Sequence, residues 1–277
     1  MIKKLIIFSF LFLSFLMGQG RVYEGPDDPA GDIAAEREGY MTGNRVFLYF
    51  RNTTELSDWP KTNVSRWPNN LNGLKMVDGI GLLIGAKVYI KDDPSSLIDS
   101  QVVTDTSVIA AGEGLHELYY LQTSYREEMD VDPTGTVEYG LYPVFGYFNE
   151  TGEYPAMSNR PSSWPQNGWP SVGSQTKWQG EWDGRFGRGV IYADMETYFV
   201  ANDAQDQEYL ELGDRVRYYP RGGKMIGDLK ENVTIGKDKP WGGLGIRVEA
   251  RGFQWNNPQA RDAIFWEYNI ANISDYD

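Results

Sequence analysis

Aromatic side chains and chain-breaking residues are interleaved along the whole of this 277-residue sequence, where nine Trp, eighteen Tyr and twelve Phe stand among thirty-one Gly and fourteen Pro. Trp and Tyr suit half-buried pleated surfaces, and frequent Gly and Pro cut a chain into short segments that leave little room for long helices. Together they predict an all-β fold, mainly antiparallel and sandwich-like, with long Trp-, Gly- and Pro-rich loops. The chain has no cysteine, so disulfides, thiolate metal ligands and a nucleophilic or lipid-bearing Cys are all excluded. Packing alone must hold the fold, and the chain is long enough to bury a large β core.

The first twenty residues obey a different logic. Lys3 and Lys4 precede an apolar run from Leu5 to Met17 that ends at Gly18-Gln19-Gly20, the pattern of a secretory signal peptide cleaved after Gly20. The run is too short to span a hydrocarbon core of ~30 Å, and no later segment approaches ~18 consecutive apolar residues. The mature chain is therefore expected to lack a membrane span and to reach the periplasm, the outer cell surface or the medium. Export without disulfides fits a bacterium. The net charge of −13 repels phosphate backbones and anionic lipid, which argues against nucleic acid as a partner. Arg215, Arg217, Arg221 and Lys224, with Tyr218 and Tyr219, form a local basic patch that reads either as a site for an anionic glycan or as a solvated hairpin.

Residues 21–44 are polar and turn-rich and read as an extended lead-in to a β-rich domain over 45–277. Strands are expected at 45–51, 81–90, 102–109, 115–123, 137–148, 191–200, 245–255 and 263–270, separated by turn signals. The 81–90 strand is so continuously apolar that it predicts a central position. Residues 154–189 carry Trp164, Trp169, Trp178 and Trp182 among Gly, Ser and Asn without strand or helix period, and read as a long surface excursion kept ordered by its indoles. A second excursion, acidic and polar, runs over 201–214. Asn-x-Ser/Thr triplets at Asn52, Asn63, Asn149, Asn232 and Asn272 read as turn chemistry. The last strand stops in a turn at 274–277 without a following neighbour, so the chain is expected to be the amino-terminal piece of a longer polypeptide whose downstream modules lie beside it.

Ser65-Arg66-Trp67-Pro68, then Asp78-Gly79-Ile80-Gly81-Leu82-Leu83-Ile84-Gly85-Ala86, and the terminus from Phe265 to Asp277 resemble the amino-terminal regions of large exported proteins of Bacteroidetes-like gram-negative bacteria. The resemblance implies continuation into β-sandwich modules and a carboxy-terminal sorting domain for type IX secretion, which this chain does not show. It implies no activity for any particular residue.

Several constellations bear on chemistry. Asp130, Asp132, Thr134 and Glu138 place oxygen side chains at calcium-loop positions one, three, five and nine, with Gly135 at six. Leu141 stands where an EF-hand needs a bidentate Glu, so the segment is either a partial Ca²⁺ site or a hairpin turn built on Pro133 and Gly135. Ca²⁺ is the one cofactor this reading admits. Asn202, Asp203, Asp206 and Glu208 form a second acidic knot with the same ambiguity. Trp178-Gln179-Gly180-Glu181-Trp182-Asp183 sets carboxylates beside indoles, as sites that stack sugars do. Trp164, Trp169, Trp178, Trp182, Glu181 and Asp183 are therefore the candidate ligand-binding set. Gly79–Gly85 and Trp241–Gly245 mimic glycine-rich nucleotide loops, but the first runs into a strand instead of a helix and the second fails likewise. His116 is the only histidine and cannot alone build a zinc site or a triad.

The sequence thus predicts an exported, non-catalytic surface or secreted β module of a larger protein. It would bind glycan or another extracellular ligand, with polysaccharide or a cell-surface protein as partner. The competing classes are a carbohydrate-active enzyme, which needs carboxylates such as Glu181, Asp183, Asp194 or Glu196 to converge in a Trp-lined cleft, and a purely structural spacer.

Overall fold

In the computed structural model of the chain, the described residues are 25–26, 28–58, 64–91, 115–123, 140–172, 177–204 and 243–273. They form strands and two single 3-10 turns, the all-β architecture that the aromatic and Gly/Pro pattern predicts. Strands β1 (Glu38–Met41), β2 (Phe47–Arg51) and β3 (Ser65–Arg66) make a small antiparallel sheet. Strands β4 (Leu83–Lys91) and β5 (Leu115–Thr123) pair as a hairpin. Four two-residue strands follow: β6 (Tyr142–Pro143), β7 (Ala156–Met157), β8 (Asp183–Gly184) and β9 (Gly187–Arg188). The long strands β10 (Met195–Asn202), β11 (Ile246–Gln254) and β12 (Phe265–Asn272) build the main sheet, in the order β12-β11-β10-β6 with β7 also on β10.

All eight residues of β10 are buried, and because side chains alternate across a strand they feed two separate cores. Met195 and Phe199 join Met41, Leu48 and Phe50 of the small sheet, with Leu56, Ala250, Trp266 and Tyr268. Beside them, Ala201 packs with Val248, Leu141 and the root of the β4–β5 hairpin at Leu82 and Ile84. Tyr198 and Val200 point the other way, into Val144, Tyr147, Phe148, Trp169 and Trp182. The small sheet is thus one cover of the main sheet, and the chain from Val144 to Trp182 is the other. Trp169 and Trp182 are 0% and 1% exposed, so the excursion is a packed layer and not a loop lying over a finished surface.

The 81–90 strand forms, but among the described residues it pairs with β5 alone. Its apolar character serves the root, where Leu82 and Ile84 meet Val248 and Ala201, while Leu83 is exposed. The central place belongs to β10. The segment read as an extended lead-in pairs as β1 against β2, Glu38 opposite Arg51. It is locked to the main sheet further upstream: Gly31 N–H donates to Asn202 Oδ1 at 2.7 Å, Asn202 Nδ2 donates to the Pro29 carbonyl at 3.0 Å, and Asp32 N–H donates to the Pro143 carbonyl at 2.9 Å. Only glycine fits at position 31, since a Cβ would run into the Tyr142 carbonyl. The triplet at Asn149 serves as turn chemistry, its Oδ1 accepting from Thr151 N–H at 3.1 Å. The Asn52 side chain instead ties the lead-in to the end of β2, its Oδ1 accepting from Arg37 N–H at 2.7 Å and its Nδ2 donating to the Ala35 carbonyl at 3.0 Å.

If the Trp layer is a true core, truncating it must cost core energies. Trp169→Ala is expected to lower unfolding free energy by about 3–5 kcal/mol, and the surface change Tyr192→Ala by less than about 1 kcal/mol. Urea unfolding of both variants measures the contrast.

Candidate functional site

The four tryptophans of the sequence-derived ligand set do assemble. Trp169 meets Trp182 edge-to-face with centroids 5.5 Å apart and stacks on Tyr198 at 5.9 Å, and Trp164 tilts against Trp182 at 5.8 Å. Three of the four N–H groups are tied into the protein, while that of Trp178 is buried without a hydrogen-bond partner. Trp169 Nε1 donates to the Glu181 carbonyl at 2.8 Å, Trp164 Nε1 to the Met157 carbonyl at 2.8 Å, and Trp182 Nε1 to the Glu196 carboxylate at 2.7 Å. Trp178 is half-buried, with the Arg188 guanidinium 5.7 Å above its ring. The ring faces of Trp169 and Trp182 are therefore occupied by β10 and by each other.

The carboxylates also have partners, buried in one case and exposed in others. Glu196 is buried and accepts three N–H bonds, from Trp182 Nε1 and from the backbones of Tyr192 and Ala193 at 2.7 and 2.9 Å. Glu181 is exposed and pairs with Arg188 at 2.7 Å. Asp194 Oδ2 accepts from Asn256 N–H at 2.6 Å. In the second acidic knot, Asp203 clamps a turn by accepting from Leu244 and Ile246 N–H at 2.6 and 2.8 Å, and Gly243 fits beside it with φ of +72°. Asp206 and Glu208 lie outside the described residues. So do the signal segment, the 102–109 strand, the calcium loop with Asp130, Asp132, Thr134 and Glu138, the basic patch at 215–224, and Trp241-Gly242. No three His, Cys, Asp or Glu side chains cluster as metal ligands among the described residues. His116 sits in β5 opposite Ile90.

Asp183 belongs to a charged row that sequence reasoning does not find. Arg247, Glu249 and Arg251 alternate along β11, opposite Asn202, Val200 and Tyr198 of β10, and so share the Trp-covered face. Arg247 Nε donates to Asp28 at 2.6 Å and its Nη1 to Glu249 at 3.2 Å, while Tyr147 Oη donates to Asp28 at 2.6 Å. Arg251 lies 3.7 Å over the Tyr198 ring, donates to the Asp183 carbonyl at 2.7 Å, and stands 3.7 Å from the Asp183 carboxylate and 3.8 Å from that of Glu249. Burial raises the carboxyl of Asp28 despite its bonds from Arg247 and Tyr147. Burial also pushes Asp183 up to about 6, with the Glu249 charge adding and Arg251 opposing.

At the end of this row the aromatic character reaches the surface. The β8–β9 hairpin presents Arg185 and Phe186 at its turn, and the Phe186 ring lies 4.5 Å from that of Tyr192. Trp255 Nε1 donates to the Tyr192 carbonyl at 3.1 Å, and its ring meets Phe265 edge-on at 5.5 Å. Phe186, Tyr192 and Phe265 are exposed, Tyr192 by 64%. An ion pair of 2.5 Å from Arg185 to Glu267 joins the hairpin to β12. The sequence signal for this surface was modest: an aromatic next to Gly187 and others just outside β10 and β11 and at the start of β12.

A cavity of about 650 Å³ lies elsewhere, between the β2–β3 end of the small sheet and β12. Asp262 is the acidic side chain among its lining residues, so Glu181, Asp183, Asp194 and Glu196 do not converge there. No family model, curated protein or solved structure matches the chain.

The raised Asp183 carboxyl gives a signed expectation. The folded protein holds its proton more tightly than the unfolded chain, whose Asp sits near 3.8. Its contribution to stability therefore falls as pH rises from about 4 through 6. Wild type is expected to lose stability relative to Asp183→Asn between pH 4.5 and 7. Urea titrations of the pair at both pH values test this, and a wild type that gains over that window contradicts it.

Proposed function

We propose that this chain is an exported, non-catalytic β module that binds a glycan on the aromatic surface formed by Phe186, Tyr192, Trp255 and Phe265. The observation that carries the reading is that Phe186, Tyr192 and Phe265 are solvent-exposed around a half-buried Trp255 that stacks on Phe253 at 5.7 Å, whereas the carboxylates an acid–base mechanism would use each have partners within the protein. Sugar rings present apolar C–H faces rimmed by hydroxyls, which suits exposed aromatic faces flanked by polar side chains. Arg185, Glu267, Asp194 and Asn256 stand at the edges of this surface and supply that rim. The Trp-rich excursion takes part by carrying Phe186 on its hairpin and by fixing that hairpin to the main sheet. Export is supported by the Lys3-Lys4 apolar segment, and a polysaccharide outside the cytoplasm is the partner such a module would meet.

Affinity electrophoresis through a panel of soluble neutral polysaccharides tests the proposal. At least one polymer is expected to retard the protein. The double variant Phe186→Ala/Tyr192→Ala should weaken that retardation at least ~10-fold, about 1.4 kcal/mol, with little change in Tm because both rings are exposed. Equal retardation of wild type and double variant, or none across the panel, overturns it.

A further inference from the structure

The cavity between the two sheets has a chemistry unlike the glycan surface. Its walls are the aromatic rings of Phe47, Trp67, Trp266 and Tyr268 with the aliphatic side chains of Met76 and Ile80, and its volume of about 650 Å³ falls within the ~300–1,000 Å³ of small-molecule sites. The segment that frames it leaves an unusual amount of apolar surface in water. Leu71 is 98% exposed and Leu74 73%, and Trp67, Met76, Ile80 and Leu83 are exposed as well. Exposed apolar side chains this concentrated mark an interaction site more often than an ordinary surface.

Two charged residues line the cavity, and they are not equivalent. Asp262 is neutralised: Arg45 pairs with it at 2.9 Å and Trp67 Nε1 donates to it at 2.7 Å. Arg66 has its guanidinium 4.8 Å over the Phe47 ring. Its Nε–H is buried without a hydrogen-bond partner, and no carboxylate of the described residues pairs with it. A cation with no carboxylate partner among the described residues, beside an apolar cavity, stands out in a chain of net charge −13. It favours a negative group on the ligand and places that group at one end of an apolar body.

We infer that this cavity is a binding site for an amphipathic monocarboxylate of the fatty-acid type, with its hydrocarbon chain between Met76, Ile80 and Trp266 and its carboxylate at Arg66. The site is independent of the glycan surface and shares none of its residues.

Titration of the protein with dodecanoate and with dodecanol, followed by calorimetry or tryptophan fluorescence, tests the assignment. Dodecanoate is expected to bind saturably at one site and at least ~10-fold more tightly than dodecanol. Arg66→Gln should abolish that preference, leaving the alcohol unchanged. Met76→Glu, at a solvent-exposed position, should remove dodecanoate binding while the circular-dichroism spectrum and polysaccharide retardation stay as in wild type. Equal affinity for acid and alcohol, indifference to Arg66→Gln, or no binding of either overturns the inference. A concentration-dependent dimer that dodecanoate does not dissociate overturns it too, because the apolar face would then belong to a second copy.

Discussion

Strand β10 meets water on neither face, and a sheet whose central strand is buried twice must be covered twice. One cover is ordinary for an antiparallel β protein: a second sheet, β1–β3, whose Leu48 and Phe50 oppose Phe199 and Ala250. The other is unusual, because the chain between Val144 and Trp182 has almost no regular secondary structure with which to make a layer. It compensates with ring area. Indoles bury more apolar surface than any other side chain, and an N–H at the ring edge lets each one settle a backbone or carboxylate acceptor as it packs. Trp169 and Trp182 do both. Without cysteine, these contacts are what join the excursion to the sheet.

Covering a sheet with an irregular chain leaves polar groups to be satisfied, and the charged row on β11 follows from that. Arg247 reaches the amino-terminal segment through Asp28 and the stretch before the excursion through Tyr147, while Arg251 reaches the excursion's β8–β9 hairpin through Asp183. Two arginines thus staple three separate stretches of chain onto one strand. The arrangement is costly in isolation, since burial raises the carboxyls of Asp28 and Asp183 above their ordinary range even with guanidinium partners in contact. Breaking one member of such a pair is worse than never having it, because the remaining charge stays buried. The row therefore specifies how the layers assemble more than it adds to their stability, and it ends at the hairpin that carries Phe186 to the surface.

Much of this was legible from the residues. The long strands β2, β4, β5, β10, β11 and β12 announce themselves by β-branched and aromatic runs between turn signals, since that signal is local. The two-residue strands were not legible: β3, β7, β8 and β9 are defined by which distant backbone they meet, as Ala156 meets Tyr198. The position of residues 81–90 was misjudged because an apolar run records how much surface is buried, not whether neighbouring strands or a packed root bury it. For the same reason Trp169 and Trp182 looked like ligand platforms. Indoles among Gly, Ser and Asn have no period, and nothing local distinguishes a ring that faces a sugar from one that faces Tyr198. The aromatic surface of Phe186, Tyr192, Trp255 and Phe265 escaped notice because its members come from four places, the β8–β9 turn, the approach to β10, the end of β11 and the start of β12, that only the tertiary fold brings together.

The central claim is that the Trp-bearing segment is a load of core packed on β10, so that it and the strand come apart as one unit. Native-state hydrogen exchange of the indole N–H groups, resolved by ¹⁵N-tryptophan NMR, examines this directly. Trp169 Nε1–H and Trp182 Nε1–H should exchange only by the global unfolding that also exposes the β10 amides, with the same free energy of opening and the same denaturant dependence. Exchange of these two indoles at loop rates, well ahead of Tyr198 and Val200, would show that the second face of the sheet is not sealed by the excursion and would contradict the account.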